Sequence, residues 1–233
     1  MRRSIDVPGT SMKLAAAVLA AGLAVAACGQ VQMGAAAIVG SQRVSSSTLS
    51  DEVANLSAGY QAHKRQIQLQ YPASQMPQQV LAWIVRFRVR NQLASRDGIS
   101  VTTTDVRQAL GQITASIKQS GESATLPEVA VANGLPPDML NALGRYQAIE
   151  TKLLNRLDGG KLPTASAAQQ TLETKFNASQ CRAAKSLNIK VNPQYGSLNY
   201  TDFSVVLTPA ALSNPQSSAP TPAASRPVLT PPC

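Results

Sequence analysis

Catalytic side chains are scarce in this chain. Of its 233 residues one is His and three are Cys, aromatic residues make up 4%, and charged residues 14%. One histidine excludes a His-rich metal site and leaves any Ser-His-Asp arrangement resting on His63 alone. Three cysteines are too few for a disulfide-stapled scaffold. No P-loop, GxGxxG, GxSxG, HExxH or CxxC pattern occurs, so the usual marks of nucleotide, hydrolase, zinc-protease and thiol-redox sites are missing. With so few rings, a core has to come mainly from Leu, Ile, Val and Ala, which suits packed helices. The apolar fraction of 44% is too high for wholesale disorder, and the length suits one or two domains.

What is present begins with export. Arg2, Arg3 and Lys13 precede an uncharged apolar run from Leu14 to Ala27, too short for a comfortable membrane-spanning helix and shaped like a secretory signal. The run ends at Val25-Ala26-Ala27-Cys28, which resembles a bacterial lipobox: small residues fit a signal peptidase cleft, and the Cys28 thiol is the nucleophile that accepts lipid. The expectation is therefore cleavage after residue 27, lipidation at Cys28, and a tether over residues 28–34. Met12 followed by Lys13 is an alternative start. Loss of Arg2, Arg3, Lys13 and Asp6 brings the formal charge from +9 to +7. That charge favours proximity to an anionic membrane or acidic wall polymer. Cys181 and Cys233 then remain as a candidate disulfide, which spacing alone does not fix.

The rest reads as helices. Ala35–Val39, a Gly40-Ser41-Gln42 turn and Arg43-Val44 predict a short strand pair. Ser45 to Thr48 offer N-caps to a first helix, with Asp51 and Glu52 expected in its first turn. Its stripe is Leu49, Val53, Leu56, Tyr60, His63 and Ile67, and Tyr71-Pro72 is the expected stop. Between Gln78 and Asp97, Trp83, Val85, Phe87 and Val89 alternate with Ile84, Arg86, Arg88 and Arg90 like a half-buried strand. Twenty residues without a breaker, closed by Asp97-Gly98, favour helix instead. A third helix follows Thr102, with Val106, Leu110, Ile113 and Ile117 inward, and Thr125-Leu126-Pro127-Glu128 opens a short fourth with a capping box. Met139, Leu143, Tyr146, Ile149, Leu153 and Leu157 mark the fifth. The sixth is expected from Thr164, carried by Ala168, Leu172 and Phe176. Ile189 to Gly196 is extended, and the Pro-rich composition that sets in near Thr208 marks a disordered tail.

Several of these segments together resemble the N-terminal domain of SurA-type and PrsA-type secreted chaperones. Ala36-Ala37-Ile38-Val39-Gly40 with Arg43-Val44 and Leu49 looks like that family's strand-then-helix opening. Asp97-Gly98-Ile99-Ser100-Val101-Thr102 and Asp105-Val106 are similar to its helix end, turn and next helix start. Asn192-Pro193-Gln194-Tyr195-Gly196 resembles the end of the core in actinobacterial lipoproteins, with Gln194 in place of the usual Arg and Ser197-Leu198-Asn199 departing from the usual Trp-Asp. The likeness spans residues 35–200 and implies an all-α multi-helix cradle with a short N-terminal β segment and a short extended C-terminal segment. On that division residues 201–233 are tail. The family often inserts a parvulin prolyl isomerase before its last helix, whereas here only Asp158 to Pro163 separate the fifth and sixth helices. No enzyme activity is therefore expected.

The resemblance implies a holdase for newly exported, unfolded proteins; the lipobox implies anchoring at the extracytoplasmic face of the cell membrane, and no cofactor or metal is expected. A cell-envelope adaptor with one dedicated partner is the alternative. Met76, Trp83, Met139 and Tyr146 are candidate client-groove contacts, since Met side chains adapt to varied apolar partners. His63 reads as a packed or groove-edge histidine. Arg86, Arg88, Arg90 and Arg96 read as a solvated helix face, with no interleaved aromatic residue to suggest nucleic acid.

Overall fold

The computed structural model describes residues 34–121, 123–160 and 165–207. Strand β1 (Ala35–Val39) runs antiparallel between β2 (Gln42–Ser45) and β3 (Lys190–Val191). Gly40 turns the chain from β1 into β2 at φ 60°, a left-handed conformation a glycine adopts without cost. Because helices cover the sheet, β1 is almost wholly buried, and its small Ala35, Ala36 and Ala37 let them approach. β3 brings the far end of the chain back to its start, with Asn192 Nδ2 donating to the Ala35 carbonyl at 3.0 Å.

Helix α1 (Ser46–His63) is capped by the Ser45 hydroxyl, which accepts from Thr48 N–H at 3.0 Å. Asp51 and Glu52 therefore sit in its second turn, not its first. It buries Leu49 and Leu56 and ends well before Tyr71-Pro72. Beyond His63 the chain straightens, Gln70 N–H reaches the Ala132 carbonyl at 2.9 Å, and Ile67 and Leu69 pack on the core from this connection. α2 (Met76–Arg96) is one continuous helix. Its strand-like alternation has a simple cause: sheet and helices surround α2, so it buries Val80, Leu81, Ile84, Val85, Phe87, Val89 and Arg90 in several directions. A left-handed Gly98, with Ile99 N–H bonded to the Ala94 carbonyl at 2.8 Å, closes it in a Schellman turn.

Thr102, expected at the start of the third helix, forms a capping box with Asp105 that opens α3 (Thr103–Gln119), and the expected capping box of Thr125 with Glu128 opens α4 (Leu126–Ala132). A single 3₁₀ turn at Pro137–Met139 leads into α5 (Leu140–Leu157). α6 (Ser166–Ser186) starts from Ala165, while Thr164 lies outside the described residues. It packs on α2 and α5. Leu157 and Ala168, expected inward, are exposed, Leu157 on the last turn of α5 and Ala168 on the first turn of α6. After β3 a small hairpin, β4 (Ser197–Leu198) with β5 (Val205–Val206), adds buried Val205 to the core. The folded body therefore runs past the expected boundary at 200. Among the described residues no helix is long and apolar enough to cross a membrane. The lipobox residues Val25, Ala26 and Ala27, the anchor Cys28, and Cys233 lie outside the described residues. Cys181, half-buried on α6, is disulfide-bonded.

Candidate functional site

α2 places Arg86 and Arg90 one turn apart on one side of the helix. α5 brings Tyr146, Glu150 and Leu154 to face them at the same four-residue spacing, and α6 contributes Glu173, Phe176, Asn177 and Gln180. The β4–β5 hairpin closes the array with Thr201, Asp202 and Phe203, and these residues line an open groove of about 380 Å³.

Arg90 holds the walls together. At 2% exposure it is not on a solvated face. Its Nε and Nη2 donate to Gln180 Oε1 at 3.2 and 2.8 Å, and Nη1 to Glu150 Oε2 at 2.5 Å and the Tyr146 carbonyl at 3.4 Å. Its Cζ lies 3.4 Å from the Tyr146 ring centroid and 5.1 Å from that of Phe176. Three helices are thus tied through one guanidinium whose flat faces meet aromatic rings, a role a lysine does not fill.

Arg86 is half-buried. Its Nη2 donates to the Asp202 carbonyl at 3.1 Å, and its Cζ is 4.9 Å from the Trp83 ring centroid. Burial pushes its pKa down, and burial likewise pushes the Tyr146 phenol up. The hairpin is built from side chains returning to its own backbone: Asn199 Oδ1 accepts from Thr201 N–H at 3.0 Å, and Asp202 Oδ1 from Ser204 N–H at 3.0 Å. Between them Phe203 has φ 56°, unusual for a bulky residue, and it holds its ring at the groove margin.

Of the four expected client contacts, Tyr146 lines this groove. Met76 does not: it is buried in the core against the sheet side, because α2 enters the molecule there. Trp83 packs tilted against Phe87 and edge-on to Tyr146, at centroid distances of 5.6 and 6.3 Å, and donates from Nε1 to the Asn133 carbonyl at 3.1 Å. Met139 packs behind it, partly buried among Phe87, Ala130 and Leu135. His63, also half-buried, faces Glu128 Oε1 at 3.3 Å on the α1–α4 contact and does not line the groove. Thr125's N–H and hydroxyl, then His63, hold the Glu128 carboxyl below its ordinary range. The solvated-face reading fails for Arg86 and Arg90, whose aromatic neighbours come partly from α5 and α6, and for Arg88, half-buried with its Nη1 buried and without a hydrogen-bond partner. Glu150, Glu173, Asn177, Gln180 and the hairpin residues escaped sequence reasoning. The spacing of Arg86 and Arg90 against that of Tyr146 and Glu150 was the one signal for this pairing; Asp202 and Phe203 gave none.

Chemically the groove offers apolar rings, a fixed amide and guanidinium network, and free edges for hydrogen bonding, which is equipment for holding a chain. No group of three or more His, Cys, Asp or Glu able to hold a metal occurs among the described residues. No curated protein and no solved structure matches the chain. The profile of the SurA-like N-terminal domain matches residues 2–154, from ahead of β1 into α5, and leaves α6 and the hairpin beyond the match. Since that match covers more than half of its length, the chain belongs to the SurA-like N-terminal domain family.

Proposed function

We propose that this protein is a non-catalytic holdase that binds apolar segments of newly exported, unfolded polypeptides, anchored by lipid on Cys28 to the extracytoplasmic face of the cell membrane. Family membership supports a chaperone-type role in general. The observation that carries the narrower reading is the groove between α2, α5, α6 and the hairpin, where the half-buried Tyr146 and Phe203 offer ring surface beside fixed polar groups. Mixed surfaces of this kind receive extended chains, because rings take the side chains and polar groups take the backbone. Holding needs no bond making: transient burial of client apolar surface lowers the concentration of chains free to aggregate. The acyl groups added at a lipobox cysteine supply more than one chain, as stable anchoring requires.

Light scattering of several unrelated unfolding proteins tests the reading. The purified chain suppresses their aggregation, and Phe203→Gly, which removes the ring and keeps the left-handed backbone, weakens suppression. If aggregation is unaffected and pull-downs return one stoichiometric partner, the protein is an adaptor. Acceleration of prolyl cis/trans exchange above the thermal rate would refute the non-catalytic role. Cys28→Ala is expected to release the protein from the membrane fraction.

A further inference from the structure

Arg86 and Arg90 share one wall of the groove but are satisfied very differently. Arg90 spends its donors on Gln180, Glu150 and the Tyr146 carbonyl. Arg86 gives one hydrogen bond, to the Asp202 carbonyl. No carboxylate among the described residues forms an ion pair with it: Glu150 is taken by Arg90, and the Asp202 carboxylate accepts from the N–H and hydroxyl of Ser204. A half-buried guanidinium that gives one hydrogen bond keeps unspent donors, and Arg86 lines the groove.

We propose that Arg86 receives the side-chain carboxylate of an Asp or Glu within an extended client segment, whose neighbouring apolar residues lie against Tyr146 and Phe203. The inference rests on the holdase reading and narrows its clients from apolar segments to apolar segments carrying an acid. A fork of parallel donors suits a carboxylate better than any neutral group. Charge along the groove sets where the acid lies. Glu173 is exposed, forms no ion pair among the described residues, and repels an acid from its part of α6. From Glu173 to Gln180 the wall on α6 alone is about 10 Å long, so a run of residues lies along the groove. That length favours an internal side chain over a chain end.

Fluorescence anisotropy with short, end-blocked peptides rich in Leu and Phe provides the test. One peptide carries a single Glu, and its twin carries Gln at that position. The Glu peptide is expected to bind the full-length protein about tenfold more tightly, the size of one charge-assisted contact in a partly desolvated site. Arg86→Gln abolishes the difference, while Arg86→Lys retains part of it, and thermal unfolding checks that both variants fold. Equal binding of the two peptides to the wild-type protein refutes the acid preference and leaves the holdase reading standing. Failure of both peptides to bind refutes the two together. A preference that survives in folded Arg86→Gln places the receptor elsewhere. If the Gln twin with a free C-terminal carboxylate binds as well as the Glu peptide, the occupant is a chain end, and the side-chain assignment is wrong.

Discussion

The two ends of α2 sit in different kinds of interior. Around Val80, Leu81 and Val85 the helix meets the sheet and α1, and the packing is aliphatic and closed, with Leu49, Leu56, Val39 and Val44 also fully buried. Around Arg86 and Arg90 it meets α5, α6 and the hairpin, and the contacts are rings, amides and charges around an open groove. The first arrangement depends on shape alone and leaves nothing for a ligand. The second depends on direction, because a guanidinium must meet its partners at fixed angles, and it leaves polar edges unspent. Stability and binding are thus divided along a single helix: one half fixes the body, and the other presents a surface.

Removing Arg90 gives the sharpest test of that division. Arg90→Ala strands the Glu150 carboxylate and the Gln180 amide and empties the space between Tyr146 and Phe176. The expected loss is about 4 kcal/mol, in the range for breaking one side of a buried charge pair. Urea titration measures it, and a loss below about 1 kcal/mol would mean that the network is incidental. Pairing Arg90→Met with Glu150→Leu recovers much of the stability while changing the groove. In the aliphatic half, Leu56→Ala is expected to cost about 3 kcal/mol through lost burial and a residual cavity. It leaves peptide binding by the folded fraction unchanged, so two variants of similar cost would part on binding.

The same contrast explains what could be read from the sequence. Helix ends were legible because their determinants are local: Thr102 with Asp105, Thr125 with Glu128, and the left-handed Gly98, Gly121 and Gly134 each act within a turn. The aliphatic stripe of Leu49 and Leu56 was legible for the same reason. Arg90 was not, because nothing near residue 90 says that Gln180 will lie 2.8 Å from it. Met76 misled in the opposite way: a flexible apolar side chain fits either a groove or a core, and only the position of α2 against the sheet decides. The hairpin depends on Asn199 and Asp202 turning back on their own backbone, a pattern too short to stand out among loop residues.

Away from both regions, α3 packs along α5, and the two helices come close at Gly144. A Cβ on Gly144 would stand 2.7 Å from Leu110 Cγ and 2.9 Å from Val106 Cγ1, and both neighbours sit on the helix surface that faces it. Gly144→Ala therefore pushes α3 outward despite the better helix propensity of Ala, and the expected net loss is about 1 kcal/mol. Lys152, whose Nζ donates to Asp105 Oδ2 at 2.7 Å and to the Ser100 carbonyl at 3.0 Å, keeps the start of α3 in place. That bond, followed by those from Thr102, holds the Asp105 carboxyl down at about 2. Loss of its contribution is therefore confined to strongly acidic solution. Thermal unfolding of Gly144→Ala with the signal of Trp83 followed alongside far-ultraviolet dichroism shows whether α3 loosens separately from the groove.

The smallest effect tests whether the aliphatic half is free of polar cost at its margin. Glu52 on α1 has a carboxylate oxygen buried without a hydrogen-bond partner. Burial, and after it the neighbouring Asp138, raise its pKa above 4.5, the hydrogen bond from Asn55 opposes this, and Asp51 adds a further small rise. With the folded-state pKa above the unfolded one, the native state binds more protons in the interval between them, so stability falls as pH rises through that interval. At neutral pH the penalty is fully present. Glu52→Gln removes the charge and supplies an amide able to donate to Asp138, so it should raise the melting temperature slightly at pH 7. The gain should shrink as pH is lowered toward 4.5 and below. A melting temperature that drops at pH 7, or a gain that grows in acid, would show that ionised Glu52 stabilises the margin of α1, and the aliphatic half would then depend on direction as the groove does.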